Sequence, residues 1–259
     1  MTGLTLECAA RTDVGRRANN EDAVFASPRL AAVADGVGGA AAGEVASRTL
    51  INALVHVDKC RLDGRLEDAL VAGIAWGNET IGFIAGCRPA MAGMSTTVTA
   101  VALGDHGCVV ANLGDSRTYL LRDGALTQLT HDDSWVQLMI DSGDLTPEAA
   151  RDHPRRSLVL AALDGEADRV PALTTFEARP GDRLLLCSDG LSDVVDDATI
   201  AATMRVGGRA ECAGRLVDLA LAGGGRDNIS AVVADVARRD QEPRALGLDL
   251  LPNAGDVGR

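Results

Sequence analysis

Two hydrophobic periods alternate along the chain. Residues 4–10 and 30–34 read as short strands, and Leu30 to Ala34 is a wholly apolar run that stops at Asp35-Gly36. From Ala40 to Val57 the period becomes helical: Ala42, Val45, Ala46, Thr49, Leu50, Ala53, Leu54 and Val57 share one face. After a turn at Asp63-Gly64, Leu66, Leu70, Ile74, Gly77, Ile81 and Ile84 mark a second helix. Strands are expected at 96–103, 107–113 and 116–122, with Asp123-Gly124 as a hairpin turn into 125–129. Residues 131–160 interrupt the strands with a short helix from Trp135 to Ile140, a helix start at Thr146-Pro147-Glu148 and a basic stretch, His153-Pro154-Arg155-Arg156-Ser157. Further strands at 172–178 and 182–187 lead to Asp189-Gly190, helices follow at 197–205 and 209–222, and Ile229 to Val236 is a last strand. Residues 238–259 are charged, carry Gly and Pro without a period, and read as a tail.

Helix pairs set between groups of strands favour packed antiparallel sheets flanked by helices over a doubly wound parallel sheet. No glycine-rich dinucleotide or phosphate loop and no nucleophile elbow is present in the sequence. Aromatic residues make up 2% of 259 residues, which leaves little surface for stacking bases, and a formal charge of −12 repels nucleic-acid backbones and anionic membranes. Six cysteines without a Cys-x-x-Cys pair, together with four histidines, argue against structural zinc and for buried free thiols. No signal peptide is visible and no apolar run nears the ~20 residues of a membrane helix, so a cytoplasmic, soluble protein is expected.

The acids sharpen this picture. Five Asp-Gly pairs occur, at 35, 63, 123, 164 and 189, and each alone reads as a turn. Two of them differ, because Asp35 and Asp189 end apolar strands that should be buried, with no Lys or Arg at the acid end. A carboxylate there is costly unless something neutralises it. Glu21-Asp22, Asp115 and Asp227 lie in similar settings beside strands. Such a cluster repels itself, and a divalent cation removes the repulsion; oxygen-only ligands select magnesium or manganese over zinc.

Gly15-Arg16-Arg17-Ala18-Asn19-Asn20-Glu21-Asp22, Val33-Ala34-Asp35-Gly36-Val37-Gly38-Gly39, Met94-Ser95-Thr96-Thr97, Asn112-Leu113-Gly114-Asp115-Ser116-Arg117, Leu186-Cys187-Ser188-Asp189-Gly190-Leu191 and Arg226-Asp227-Asn228-Ile229 stand in one order along the chain. That order resembles the metal-dependent (type 2C) protein phosphatases, and most closely the stand-alone bacterial serine/threonine enzymes, from about residue 5 to 237. The resemblance implies an α+β fold, a four-layer αββα sandwich of two central antiparallel sheets between helical layers, which the pattern alone does not fix. It implies one catalytic domain over 1–237, a flap at 131–160 that shapes substrate choice, and a tail at 238–259.

It also implies residue roles. Asp35 would bridge two ions, Mn2+ or Mg2+, with the Gly36 carbonyl on one and Asp189 and Asp227 on the other. Glu21 and Asp22 would act through waters, and Asp115 with Asp189 would hold a third, weaker ion; the other reading of Asp115 is a turn acid paired with Arg117. Two metals withdraw charge from a phosphate monoester and acidify the attacking water, so no covalent phosphoenzyme is required. Arg17 matches the phosphate-binding arginine, its planar fork suited to two phosphate oxygens. Eukaryotic relatives carry His where this chain has Val37, which leaves the leaving-group acid open between a metal-bound water, His131 and His153. Arg155 and Arg156 read either as a draw for acidic phosphopeptides or as a solvated turn. The expected partners are phosphorylated proteins, including a serine/threonine kinase and its substrates, met by a monomer in signal transduction. The rival reading is a catalytically silent phosphatase-like binding module, disfavoured because every metal-position acid is present.

Overall fold

Strands buried on both faces explain the continuous apolar runs. The computed structural model describes residues 3–38, 41–60, 65–104, 107–151 and 153–239. One sheet joins β1 (Leu4–Asp13), β12 (Ile229–Arg238), β11 (Arg183–Cys187), β8 (Arg117–Arg122) and β9 (Ala125–Gln128) in that order. The other runs β10 (Ala172–Phe176), β7 (Gly107–Leu113), β6 (Val98–Gly104), β3 (Leu30–Ala34), β2 (Ala23–Ala26). The neighbouring strands in both sheets are antiparallel. A two-stranded ladder, β4 (Gly36–Val37) with β5 (Ser95–Thr96), extends from the mouth.

The two-residue period sorts each strand's side chains between layers. Ala31 and Val33 of β3 meet Val232, Ala234 and Val236 of β12 in the core between the sheets. Leu30, Ala32 and Ala34 face the other way, onto Leu50 and Leu54 of α1 (Ala41–Lys59) and Ile74 and Ile81 of α2 (Leu66–Cys87). On the far side, Ile229, Ala231 and Val233 pack against Leu216 and Val217 of α7 (Arg209–Ala222), Ile200 of α6 (Asp197–Met204) and Leu191 of α5 (Asp189–Ser192). The result is four layers, αββα, as expected. With so few aromatics, these three cores are filled by Leu, Ile, Val and Ala, each large aliphatic contributing ~1.5–3 kcal/mol on burial.

Local chemistry sets the boundaries. Asp123 (φ 52°) and Gly124 (φ 78°) form the hairpin turn between β8 and β9. Ser134 caps α3 (Trp135–Asp141) by accepting from the Gln137 amide, and Pro147 opens α4 (Pro147–Arg151). β12 continues to Arg238, paired with Leu4, so the ordered ladder reaches into the segment read as tail. The rest of that segment, from 240, and the expected turn at Asp63-Gly64 lie outside the described residues.

Two expectations change. α2 spans 22 residues and, by length and composition, could cross a membrane, although no apolar run of that length was expected. Its Leu70, Ile74 and Ile81 are buried against the sandwich, while Trp76 and Phe83 lie on the outer face. Cys108, Cys187 and Cys212 are buried free thiols as expected, whereas Cys60 and Cys87 are exposed.

Candidate metal centre

The acids singled out in sequence flank strands of both sheets. Asp35 follows β3, Asp115 follows β7 and Asp22 precedes β2, all in one sheet; Asp189 follows β11 and Asp227 precedes β12 in the other. Electrostatics shows that they converge. Asp35 lies well above the usual carboxylate range, first because burial disfavours its charge and then because Asp22, Asp189, Asp115 and Asp227 repel it. Asp189 is pushed up by burial and then by Asp115, Asp193, Asp227 and Asp22. Burial, with Asp132 and Asp193, raises Asp115 to about 7. Asp22 rises to about 6 through burial, against hydrogen bonds from Ser230 and Ser188 that favour its charge. Asp35 and Asp189 are half-buried by surface area. Glu21 is raised more modestly, by desolvation.

Backbone hydrogen bonds hold each acid. Asp35 is clamped by the 94–97 segment: its amide donates to Thr97 Oγ1 (3.2 Å), and its carbonyl accepts from the Thr97 amide (2.8 Å) and Thr96 Oγ1 (2.8 Å). Thr97 Oγ1 also shares a 2.8 Å hydrogen bond with Ser116, joining the Asp35 and Asp115 loops. Asn228 is the hub on the other side. Its amide group donates to the carbonyls of Val14 and Asn19 (both 2.9 Å), and its Oδ1 accepts from the Glu21 amide (2.8 Å). Ser188 Oγ donates to Asp22 (2.8 Å) and accepts from the Ser230 amide (3.0 Å), tying β11 and β12 to the first acids.

The two Asp-Gly pairs at strand ends are not turns. Gly124 and Gly165 have positive φ, whereas Gly36 and Gly190 do not. Glycine stands at 36 because a Cβ would run into the Gly43 carbonyl, and at 190 because it would run into the Asn228 carbonyl. Close approach of loops, rather than a left-handed backbone, distinguishes the site pairs from the hairpin pairs.

Arg17 also lies at this site, its Nη2 donating to Asp227 Oδ2 at 2.7 Å. That hydrogen bond, followed by the charges of Asp227, Asp189 and Glu21, raises the guanidinium above its ordinary range. The alternative pairing of Asp115 with Arg117 does not occur: Arg117 forks onto Asp132 (2.6–3.0 Å), leaving Asp115 buried among acids. Arg156 reaches Asp193 (3.7 Å) and Arg155 covers the Trp135 ring at 5.1 Å, so neither is a merely solvated charge. His131 pairs with Asp141 (3.0 Å), and His153 stacks on Trp135 at 4.8 Å. A groove of about 750 Å³ between α6 and α7, lined by Ala198, Thr203, Val206 and Leu219, holds none of these acids.

The protein phosphatase 2C family profile matches residues 12–215. The chain belongs to the protein phosphatase 2C family. Across 92% of its length it is 51% identical to the serine/threonine protein phosphatase PstP of Mycobacterium tuberculosis, and spans 46% of that protein. It thus covers about half the length of its mycobacterial relative. It is 34% identical to the serine/threonine phosphatase stp of Listeria innocua, over 87% of this chain and 94% of that one. Its structure superposes on the crystal structure of the PstP catalytic domain in complex with two manganese ions with a TM-score of 0.85, 50% identity, and coverage of 90% of this chain and 99% of that one.

The residues of this phosphatase 2C fold fit a pair of hard cations. Oδ1 of Asp22 and Oδ1 of Asp189 are buried without a hydrogen-bond partner, and the acids that face them supply oxygen only. Among the described residues, no three His, Cys, Asp or Glu side chains form a ready-made cage.

Sequence reasoning missed Asp193, raised to about 6 by burial, and the positioning roles of Asn228, Thr97 and Ser188. Asp193 was within reach: it stands four residues after Asp189, so a helix there places both on one face. Asn228 and Thr97 stand in blocks that carry the family resemblance, but their positioning roles are not legible there, because their work is done on backbone atoms distant in sequence.

Proposed function

We propose that this chain hydrolyses phosphoserine and phosphothreonine in proteins at a two-cation carboxylate site that takes manganese or magnesium. The observation that carries this reading is the convergence of Asp22, Asp35, Asp115, Asp189 and Asp227 from both sheets, two of them with a buried oxygen left without a partner. Asp35 would bridge the ions, with the Gly36 carbonyl, Asp189 and Asp227 completing the direct ligands. Glu21 and Asp22 would act from the outer layer, and Asp115 with Asp189 would hold a weaker third ion. When bound, the cations neutralise phosphate oxygens and acidify an attacking water.

The chain's own residues do the rest. Arg17, at the rim, would take two phosphate oxygens with its planar fork and so orient the ester. Thr96, Thr97 and Asn228 fix the backbone of the acid-bearing loops, so that little reorganisation is needed when charge develops. Residues 131–160 would form the flap beside it, within a catalytic domain spanning 1–237, with 238–259 as a tail. Phosphorylated proteins, a serine/threonine kinase and its targets among them, are the proposed partners of a cytoplasmic monomer. The full set of acids speaks against a silent binding module. Turnover of a phosphothreonine peptide should require added manganese and vanish in chelator; undiminished turnover in excess chelator would overturn the reading.

A further inference from the structure

Asp227 differs from Asp22 and Asp189 because both its oxygens are engaged. Oδ2 accepts from Arg17 at 2.7 Å, and Oδ1 accepts from the Asn228 amide at 2.9 Å. By contrast, Asp22 and Asp189 each keep one buried oxygen without a partner. The pair lies at the rim, with 57% of the Arg17 side chain and 34% of that of Asp227 exposed. Arg17 is held there by its own loop: the Arg16 amide donates to the Gly225 carbonyl (2.7 Å) and the Arg17 amide to that of Val14 (3.3 Å). Its guanidinium therefore works from the Asp227 side of the site, and the Nη2 group on Asp227 Oδ2 is one of those that a phosphate held by the planar fork would need.

We propose that Arg17 is an exchanging cation: it neutralises Asp227 while no divalent ion is there, and an ion that takes Asp227 releases it to the phosphate. This rests on the two-cation reading above. Two consequences follow by linkage. Arg17 and the divalent ion compete for Asp227. The ion and the phosphate then assist each other through Arg17, beyond their direct attraction. The device also offsets part of the acid repulsion at Asp227, and keeps the Arg17 Nη2 group from the phosphate until an ion takes Asp227.

The size of the competition follows from the exposure of the pair. Rim ion pairs of this kind are worth a factor of about two to five in an equilibrium. Calorimetric titration of Mn2+ into the metal-stripped protein should show Arg17→Met tightening one Mn2+ site by about two- to fivefold. Arg17→Lys, which keeps the charge but loses the fork, should fall between. Arg16→Met removes the same charge one residue away and should leave Mn2+ affinity nearly unchanged. Thermal melting gives a readout independent of turnover: Arg17→Met should lower the melting temperature by about 1–2 °C in chelator and not at all with saturating Mn2+. The exchange is refuted if Arg17→Met leaves Mn2+ affinity unchanged or weakens it. It is equally refuted if Arg16→Met tightens binding as much, because the effect would then be net charge acting through space. Wild-type protein that binds no Mn2+ would instead bring down the two-cation reading, and this proposal with it.

Discussion

Asp115→Asn tests the crowding of carboxylates without any catalytic assay. Asp115 is 6% exposed, and its pKa is raised from 3.8 to about 7 by burial and by the charges of Asp132 and Asp193. In the unfolded chain the same group ionises near its ordinary value. The folded state therefore holds this proton more tightly, and stability falls as pH rises from about 4 through about 7. Fully ionised, a group displaced by that much destabilises the fold by at most about 4 kcal/mol, and shared repulsion in the cluster brings this to roughly 1–3 kcal/mol. Asn keeps the shape and removes the charge. In chelator at pH 7.5, Asp115→Asn should raise the melting temperature by roughly 2–12 °C, taking 2–4 °C per kcal/mol for a domain of this size. At pH 5 the gain should shrink to less than half, because Asp115 stays protonated in the folded protein while the unfolded chain has already ionised it, and it should vanish only below about pH 4. Calorimetric scans at both pH values measure it. A variant less stable than wild type at pH 7.5 in chelator, or a gain at pH 5 as large as that at pH 7.5, would refute the reasoning.

Asn228→Ala removes three hydrogen bonds that link residues 14–21 to the start of β12, and should cost about 2–4 kcal/mol by denaturant titration while sharply reducing turnover. Gly36→Ala places a Cβ against the Gly43 carbonyl; a loss of about 1–3 kcal/mol and of Mn2+ binding is expected, and calorimetry reads both. Val37, 39% exposed at the mouth, offers no proton. Val37→His should raise turnover of a phosphoserine peptide by up to about tenfold with little effect on nitrophenyl phosphate, and an unchanged ratio of the two rates would mean that solvent already supplies the leaving-group proton.

What was legible in the sequence follows from what each signal measures. Leu30 to Ala34 and Ile229 to Val236 were readable because burial on both faces makes a strand apolar throughout, and a helix core face recurs visibly, as in α1. Asp35 and Asp189 stood apart from other Asp-Gly pairs for the same reason: an acid that closes a buried strand is conspicuous, whatever glycine follows. The short β2 and the two-residue β4 were not read, since four or fewer residues carry too little period. α5 was missed because Asp189-Gly190-Leu191-Ser192 is turn-like locally; Gly190 is there to let the Asn228 backbone approach. The Arg117–Asp132 fork was invisible because β8 and the loop after β9 meet only in three dimensions. The same holds for the Arg17–Asp227 pair, 210 residues apart in sequence.

Counting bound ions alongside turnover tests the two-cation site most directly. After equilibrium dialysis against Mn2+, wild-type protein should hold two tightly bound ions. Asp35→Asn, which removes the proposed bridging ligand, should hold neither, while Asp227→Asn should hold one. Phosphothreonine peptide turnover should fall by at least ~100-fold in both variants, with melting in chelator unimpaired. Asp35→Asn that retains both ions, or that loses them and still turns over phosphopeptide at the wild-type rate, would contradict the assignment.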